Sequence, residues 1–414
     1  MLKDTCDDRI APLTMTHLVL PELKEQPRPG PPPGLLCTSR APDARDGSIG
    51  QHVPALDGIR GVAILTVMLF HMAMVPPVGA MASVWASVAH FGGLGVDVFF
   101  VLSGFLITGI LLEARGKPRY FLNFYARRVL RIFPLYYAVV FLSLVFLPRA
   151  MPWTLAKFGT VNRDGVWYWF HLSNFAIARR GAFVHGILDV SWSLAIEEQF
   201  YLIWPTIVLF GSRTALRGIC LSLVVVSCLA RIILLIHHTN PIAVYTLTFC
   251  RLDGLAIGAL LAMCARGDEL NFLSRHLFAL SGAALGITSF LFACTWGRFD
   301  RPIAGSLLFT SISLLAACAI VAILTDPTSG IARVFSWAWL RALGRYSYAM
   351  YLFHYPLAAL LRERLLRRLA HLLWGSSLPL QLAFDLAGIG LAFAAAVASW
   401  HCYEKWFLKL KRYF

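Results

Sequence analysis

LDGIRGVAILTVMLFHM, residues Leu56–Met72, has the length and apolar content of a membrane-crossing helix. Asp57, Arg60 and His71 are set into it. An ionisable side chain within a span costs at least about 2.5 kcal/mol, so each one needs a reason. Arg60 and His71 are eleven residues apart. That is about three helical turns, which puts both on one face about 16 Å apart. Asp57 lies one turn before Arg60 on the same side.

Working outward, long apolar segments alternate with short polar loops to the end of the chain. Of 414 residues, 58% are hydrophobic and 14% charged, with a mean hydropathy of +0.66. These values describe an all-α polytopic membrane protein. Spans of about 20 residues fall near 57–77, 88–112, 132–148, 192–211, 216–236, 244–265, 274–295, 303–325, 345–361 and 381–402, a bundle of about ten helices. Residues 149–190 are the longest loop, and the aromatic VWYWFHLSNF within it suits an interfacial or re-entrant segment. Residues 1–52, rich in Pro, Gly and charge, read as a disordered N-terminal tail. They lack the layout of a signal peptide. Residues 53–408 form the transmembrane domain, and 409–414 a short basic end.

The net charge of +15 gathers in loops. Loop 113–131, EARGKPRYFLNFYARRVLR, is the densest in basic residues and places the N-terminus in the cytoplasm. RERLLRRLAH at 362–371 opposes that bias and is accommodated as an amphipathic helix on the outer surface. Basic residues punctuate apolar segments and form no single patch, which argues against nucleic acid as a partner. The nine cysteines show no CxxC or Cys/His spacing, so neither a metal site nor a disulfide framework is expected.

Other spans carry polar intruders. Asp97 and Ser103 lie in the second, and Glu197 and Glu198 in the fourth. Arg251 and Asp253 lie in the sixth. Arg345, Ser347, Tyr348, Tyr351 and His354 open the ninth. Polar groups on several spans imply a shared interior site or pathway. A proton-coupled transporter would carry similar groups, but it would also show matching broken helices in two halves, and no such repeat is present.

The combination Arg60–x10–His71, GVDVFFVLSGFLI, FYARRVLRIFPLYY with its Arg128–x–x–Arg131, WSLAIEEQFYLIWP and SYAMYLFHYPL, in that order, resembles the membrane-bound acyltransferase-3 family. The resemblance covers residues 54–408. It implies about ten helices in the inner membrane of a bacterium, acetyl-CoA or another acyl-CoA as donor, and a hydroxyl of a cell-surface carbohydrate or lipid-linked sugar as acceptor. It also implies an essential His71 paired with Arg60. Arg60, Arg128 and Arg131 then suit the donor phosphates, since guanidinium pairs with phosphate in a bidentate fork. His71 suits proton transfer, with Glu197, Glu198 or Asp97 to orient its ring. Ser103, Tyr348 and Tyr351 are candidates for an oxyanion hole. The two glutamates are expected to face an acceptor cavity separate from the coenzyme entrance, with His71 between them. One of them is expected to pair with an arginine such as Arg251.

Overall fold

The computed structural model describes residues 53–73, 77–150, 161–184, 186–295, 300–369 and 377–414. The tail at 1–52 lies outside these, and so do the side chains of 362–369, on which the amphipathic reading of RERLLRRLAH depends. The described residues are helical, with no strand among them. The principal helices are α1 (Pro54–Met72), α2 (Ala80–His90), α3 (Gly95–Ala114), α4 (Tyr120–Phe141), α5 (Val161–Trp169), α6 (Ser173–Arg180), α7 (Ser191–Phe210), α8 (Arg213–Ile236), α9 (Leu252–Cys264), α10 (Leu277–Thr295), α11 (Pro302–Thr325), α12 (Ala338–Leu369) and α13 (Leu378–Ser399).

Seven helical stretches among the described residues are long and apolar enough to cross a membrane. They are Pro54–Met72, Ala80–Ala114, Tyr120–Phe146, Arg213–Ile236, Leu277–Thr295, Pro302–Thr325 and Leu378–Tyr413. The count of ten is not reached, for three physical reasons. The segment 192–211 forms a full helix, α7, but Ser191, Ser193, Glu197, Glu198 and Gln199 make it too polar. The segment 345–361 is the middle of the 32-residue α12, which carries several arginines. The segment 244–265 is broken: a short helix Pro241–Thr246 and a 3₁₀ turn Thr248–Cys250 precede α9. The break falls where Arg251 turns inward to meet Asp97.

The expected loop 149–190 contains two short helices, α5 and α6. Tyr136 and Tyr137 of α4 donate to the carbonyls of Tyr168 and Trp169 at 2.8 and 3.0 Å. Buried Asp164 of α5 accepts from Arg179 and Arg180 of α6 at 2.7 and 2.9 Å. Gln199 of α7 donates to the His171 carbonyl and to Asn174, both at 3.0 Å. The aromatic segment is therefore pinned to the bundle.

Helix α10 exposes Phe278, Leu285, Ile287 and Phe290. Such a face is a liability in water and suits lipid. Inside the bundle, small residues let backbones touch. A Cβ on Gly344 of α12 would lie 1.8 Å from the Asp57 carbonyl oxygen, and one on Gly61 of α1 would lie 2.1 Å from that of Leu340. These contacts hold α1 against α12 and fix Arg60 relative to Ser347. Gly344→Leu is expected to destabilise the bundle by about 3 kcal/mol, since backbone cannot yield as a side chain does. Thermal unfolding in detergent measures this, and an unchanged midpoint would show that α1 and α12 separate freely.

Candidate active site

Helices α1, α3, α4, α7 and α12 turn side chains inward, and among them lie two cavities. The first, of about 120 Å³, is lined by Arg60 of α1, Ser103 of α3, Arg128 and Arg131 of α4, Glu197 and Tyr201 of α7, and Ser347 and Tyr348 of α12. The second, of about 250 Å³, is lined by Phe70 and His71 of α1, Asp189 and Trp192 at the start of α7, Tyr245, and Tyr355 of α12. Val96 and Tyr351 line both. Along α1 the first cavity meets residue 60 and the second 70–71. Along α12 the corresponding positions are 347–348 and 355. The cavities thus follow one another along α1 and α12, with Val96 and Tyr351 between them.

The first cavity is an arginine site. Arg128 and Arg131 sit one turn apart on α4, so both project to the same side. Neither makes a hydrogen bond or salt bridge among the described residues. Arg60 is held by Asp57 at a loose 3.4 Å. Three guanidiniums against two carboxylates, Asp57 and Glu197, leave a surplus of positive charge that an anion would balance. Glu197 accepts from the Tyr201 hydroxyl at 3.0 Å, and Tyr201 in turn bonds Ser103. Tyr201 follows Glu197 by four residues, one helical turn, a signal visible in the sequence but not singled out there. With Tyr201 donating to Glu197, the Ser103 hydroxyl is the donor to Tyr201.

The second cavity is a histidine site. His71 Nδ1 lies 2.9 Å from the Val67 carbonyl oxygen and 3.2 Å from His354 Nε2. The ring stands edge-on to Phe70 and Tyr355, with centroids 4.9 and 5.6 Å apart. Trp192, Tyr245 and Tyr355 give this cavity apolar faces, and the Asp189 carboxylate and His71 give it polar ones.

Several sequence expectations are corrected here. Glu197 shares the arginine cavity and does not face a separate acceptor space, because its position on α7 is level with Arg60. Glu198, 100° further round the helix, does not line that cavity. Among the described residues no carboxylate bonds His71; a carbonyl and a second histidine do. Arg251 pairs with neither glutamate but with Asp97, at 2.8 Å and fully buried. Asp253 pairs with Arg231, also at 2.8 Å and buried, and Arg231 was not foreseen as a partner. Asp97, Arg251 and Asp253 therefore belong to the scaffold and line neither cavity. Tyr348 and Tyr351 donate their hydroxyl protons to the carbonyls of Ile132 and Val190, at 2.8 and 2.7 Å. With Ser103 also committed, these hydroxyls do not form an oxyanion hole; Arg128 and Arg131 retain free donors at the cavity.

A family model described as an acyltransferase domain matches residues 53–401. YrhL of Bacillus subtilis (strain 168), by provisional assignment a peptidoglycan O-acetyltransferase, is 32% identical over 331 residues, covering 75% of this chain and 49% of the relative. The peptidoglycan O-acetyltransferase OatA of Listeria monocytogenes is 30% identical over 328 residues, 75% and 50% of the two chains. The O-acetyltransferase OatA of Staphylococcus aureus is 31% identical over 325 residues, 74% and 51%. The chain spans about half the length of the curated relatives it matches. No solved structure matches it. The matched segment contains every residue of both cavities, and the chain belongs to the acyltransferase-3 family.

Proposed function

We propose that the protein is a membrane O-acetyltransferase that moves an acetyl group from acetyl-CoA to a hydroxyl of a cell-surface glycan of the peptidoglycan kind. The observation that carries this is the succession of an arginine cavity and a histidine cavity along α1 and α12. A donor with phosphates at one end and a thioester at the other needs that order of groups.

The first cavity, of about 120 Å³, is small beside a nucleotide. The nucleotide therefore stays at the mouth. Its phosphates pair with Arg60, Arg128 and Arg131, and only the pantetheine arm enters. The thioester carbon comes to rest at the junction formed by Val96 and Tyr351. The acceptor hydroxyl enters through the second cavity, where Trp192, Tyr245 and Tyr355 offer flat apolar faces to a sugar ring. His71 takes the hydroxyl proton as the oxygen attacks the thioester carbon. The tetrahedral intermediate collapses with loss of the C–S bond, and His71 returns the proton to the leaving sulfur. The arginine mouth is placed on the cytoplasmic side, where acyl-CoA is made, with the N-terminus also inside; the histidine cavity opens outward.

Full-length protein in lipid nanodiscs, given acetyl-labelled acetyl-CoA and soluble glycan strands, is expected to place label on the glycan in alkali-labile ester linkage. Unlabelled glycan with intact donor would overturn the proposal. Arg128→Ala and Arg131→Ala are each expected to raise the donor KM about tenfold or more, the worth of one charge-assisted hydrogen bond, with a smaller effect on kcat. Unchanged donor dependence in both variants would reduce these arginines to topology signals.

A further inference from the structure

His354 is enclosed on α12, with no surface exposed. Its Nδ1 lies 2.7 Å from the Tyr351 carbonyl oxygen and 3.3 Å from that of Met350. A ring nitrogen that close to carbonyl oxygens must carry hydrogen, since two lone pairs would otherwise face each other. The same reasoning gives His71 its hydrogen on Nδ1, 2.9 Å from the Val67 carbonyl oxygen. His354 Nε2 and His71 Nδ1 are 3.2 Å apart. Because His71 Nδ1 is the donor, His354 Nε2 must be the acceptor and carries no hydrogen. His354 is therefore neutral, and the His71 Nδ1–H is shared between a carbonyl and an imidazole. The one nitrogen left uncommitted is His71 Nε2, which has no hydrogen-bond partner among the described residues.

We infer that His354 is a positioning residue for His71: it holds the His71 ring in the Nδ1–H tautomer, so that the bare Nε2 is the nitrogen presented to the acceptor hydroxyl. This rests on the proposed acetyl transfer for its purpose, though not for its geometry. The device does the work of the carboxylate in a Ser-His-Asp arrangement without burying a charge. When Nε2 takes a proton from the hydroxyl, the positive ring strengthens the Nδ1–H bonds to His354 and Val67, which stabilises the imidazolium while the thioester is attacked. The helix supplies the tautomer of His354 through its own carbonyls, so the order of donors runs from the backbone of α12 to the reacting nitrogen.

Two measurements test this. In full-length protein carrying ¹⁵N-histidine in lipid, solid-state NMR reads the tautomer of each ring, with signals assigned by difference against His71→Gln and His354→Gln. Both rings are expected to be protonated at Nδ1 and bare at Nε2. An Nε2–H tautomer at His71 would overturn the inference, and this reading requires no activity. In the acetyl-CoA assay, His354→Leu is expected to lower kcat about a hundredfold with donor KM nearly unchanged. His354→Gln, whose side-chain oxygen can accept from His71 Nδ1–H, is expected to recover most of that loss. Equal losses in the two variants, or a loss carried by KM, would assign His354 to packing alone and overturn the inference. Wild-type protein without turnover would instead contradict the proposed function, leaving the NMR result to decide this one.

Discussion

His71→Ala is expected to lower acetyl transfer about a thousandfold while the protein still inserts and accumulates. Among the described residues, alanine removes the one imidazole that lines the second cavity, and general acid–base catalysis by a positioned side chain contributes about 10²–10⁴-fold. The fold should tolerate the change, because His71 is half-buried beside an existing cavity near the last turn of α1. Donor binding should persist, since Arg60, Arg128 and Arg131 line the other cavity. The measurement is initial rate together with donor affinity on purified protein. Activity above a few per cent of wild type would remove His71 from proton transfer.

Arg251→Leu is expected to cost about 3–5 kcal/mol of stability, because it strands the Asp97 carboxylate without its counter-charge. The pair joins the start of α9 to the start of α3, and the Arg251 guanidinium also lies over Phe309 and Tyr245, 4.2 and 4.9 Å from their centroids. Beside it, Arg231 of α8 bonds Asp253, Thr310 and the Ser306 carbonyl at 2.8, 2.8 and 3.0 Å. The two pairs thus bind α3, α8, α9 and α11 behind the cavities. The double variant Asp97→Leu with Arg251→Leu should recover much of the loss, since it strands no charge. Buried Cys220 and Cys250 report unfolding through a thiol-reactive fluorescent dye on heating. An Arg251→Leu midpoint equal to wild type would contradict this account of the scaffold.

Periodicity and apolar length make helices legible, because a chain in lipid must satisfy its own backbone. That reasoning placed α8, α10 and α11 to within about three residues, but ran past the end of α1 and merged the end of α2 with α3. It failed where tertiary contacts override local apolarity, as at the break before α9 that lets Arg251 reach Asp97. The Arg60–His71 spacing was legible because both lie on one uninterrupted helix. The partners of charges were not, because pairing is between helices: Asp97 with Arg251 and Asp253 with Arg231 join residues far apart in sequence. Arg231, a lone arginine inside LSLVVVSCLARIILLI, was a signal that could have been read. The level of Glu197 along the bundle depends on how α7 slides against α1, which no sequence period sets. The His71–His354 contact depends in the same way on the approach of α1 to α12, which Gly61 and Gly344 permit.

The central claim is that donor and acceptor enter successive cavities from opposite sides and meet at Val96 and Tyr351. Proteoliposomes with a verified single orientation test it directly. Acetyl-labelled acetyl-CoA is sealed on the side of the arginine cavity, and soluble glycan is supplied only on the other. The account predicts label on the glycan across an intact bilayer, and none when the two sides are exchanged. Transfer only when donor and glycan share a side would contradict it.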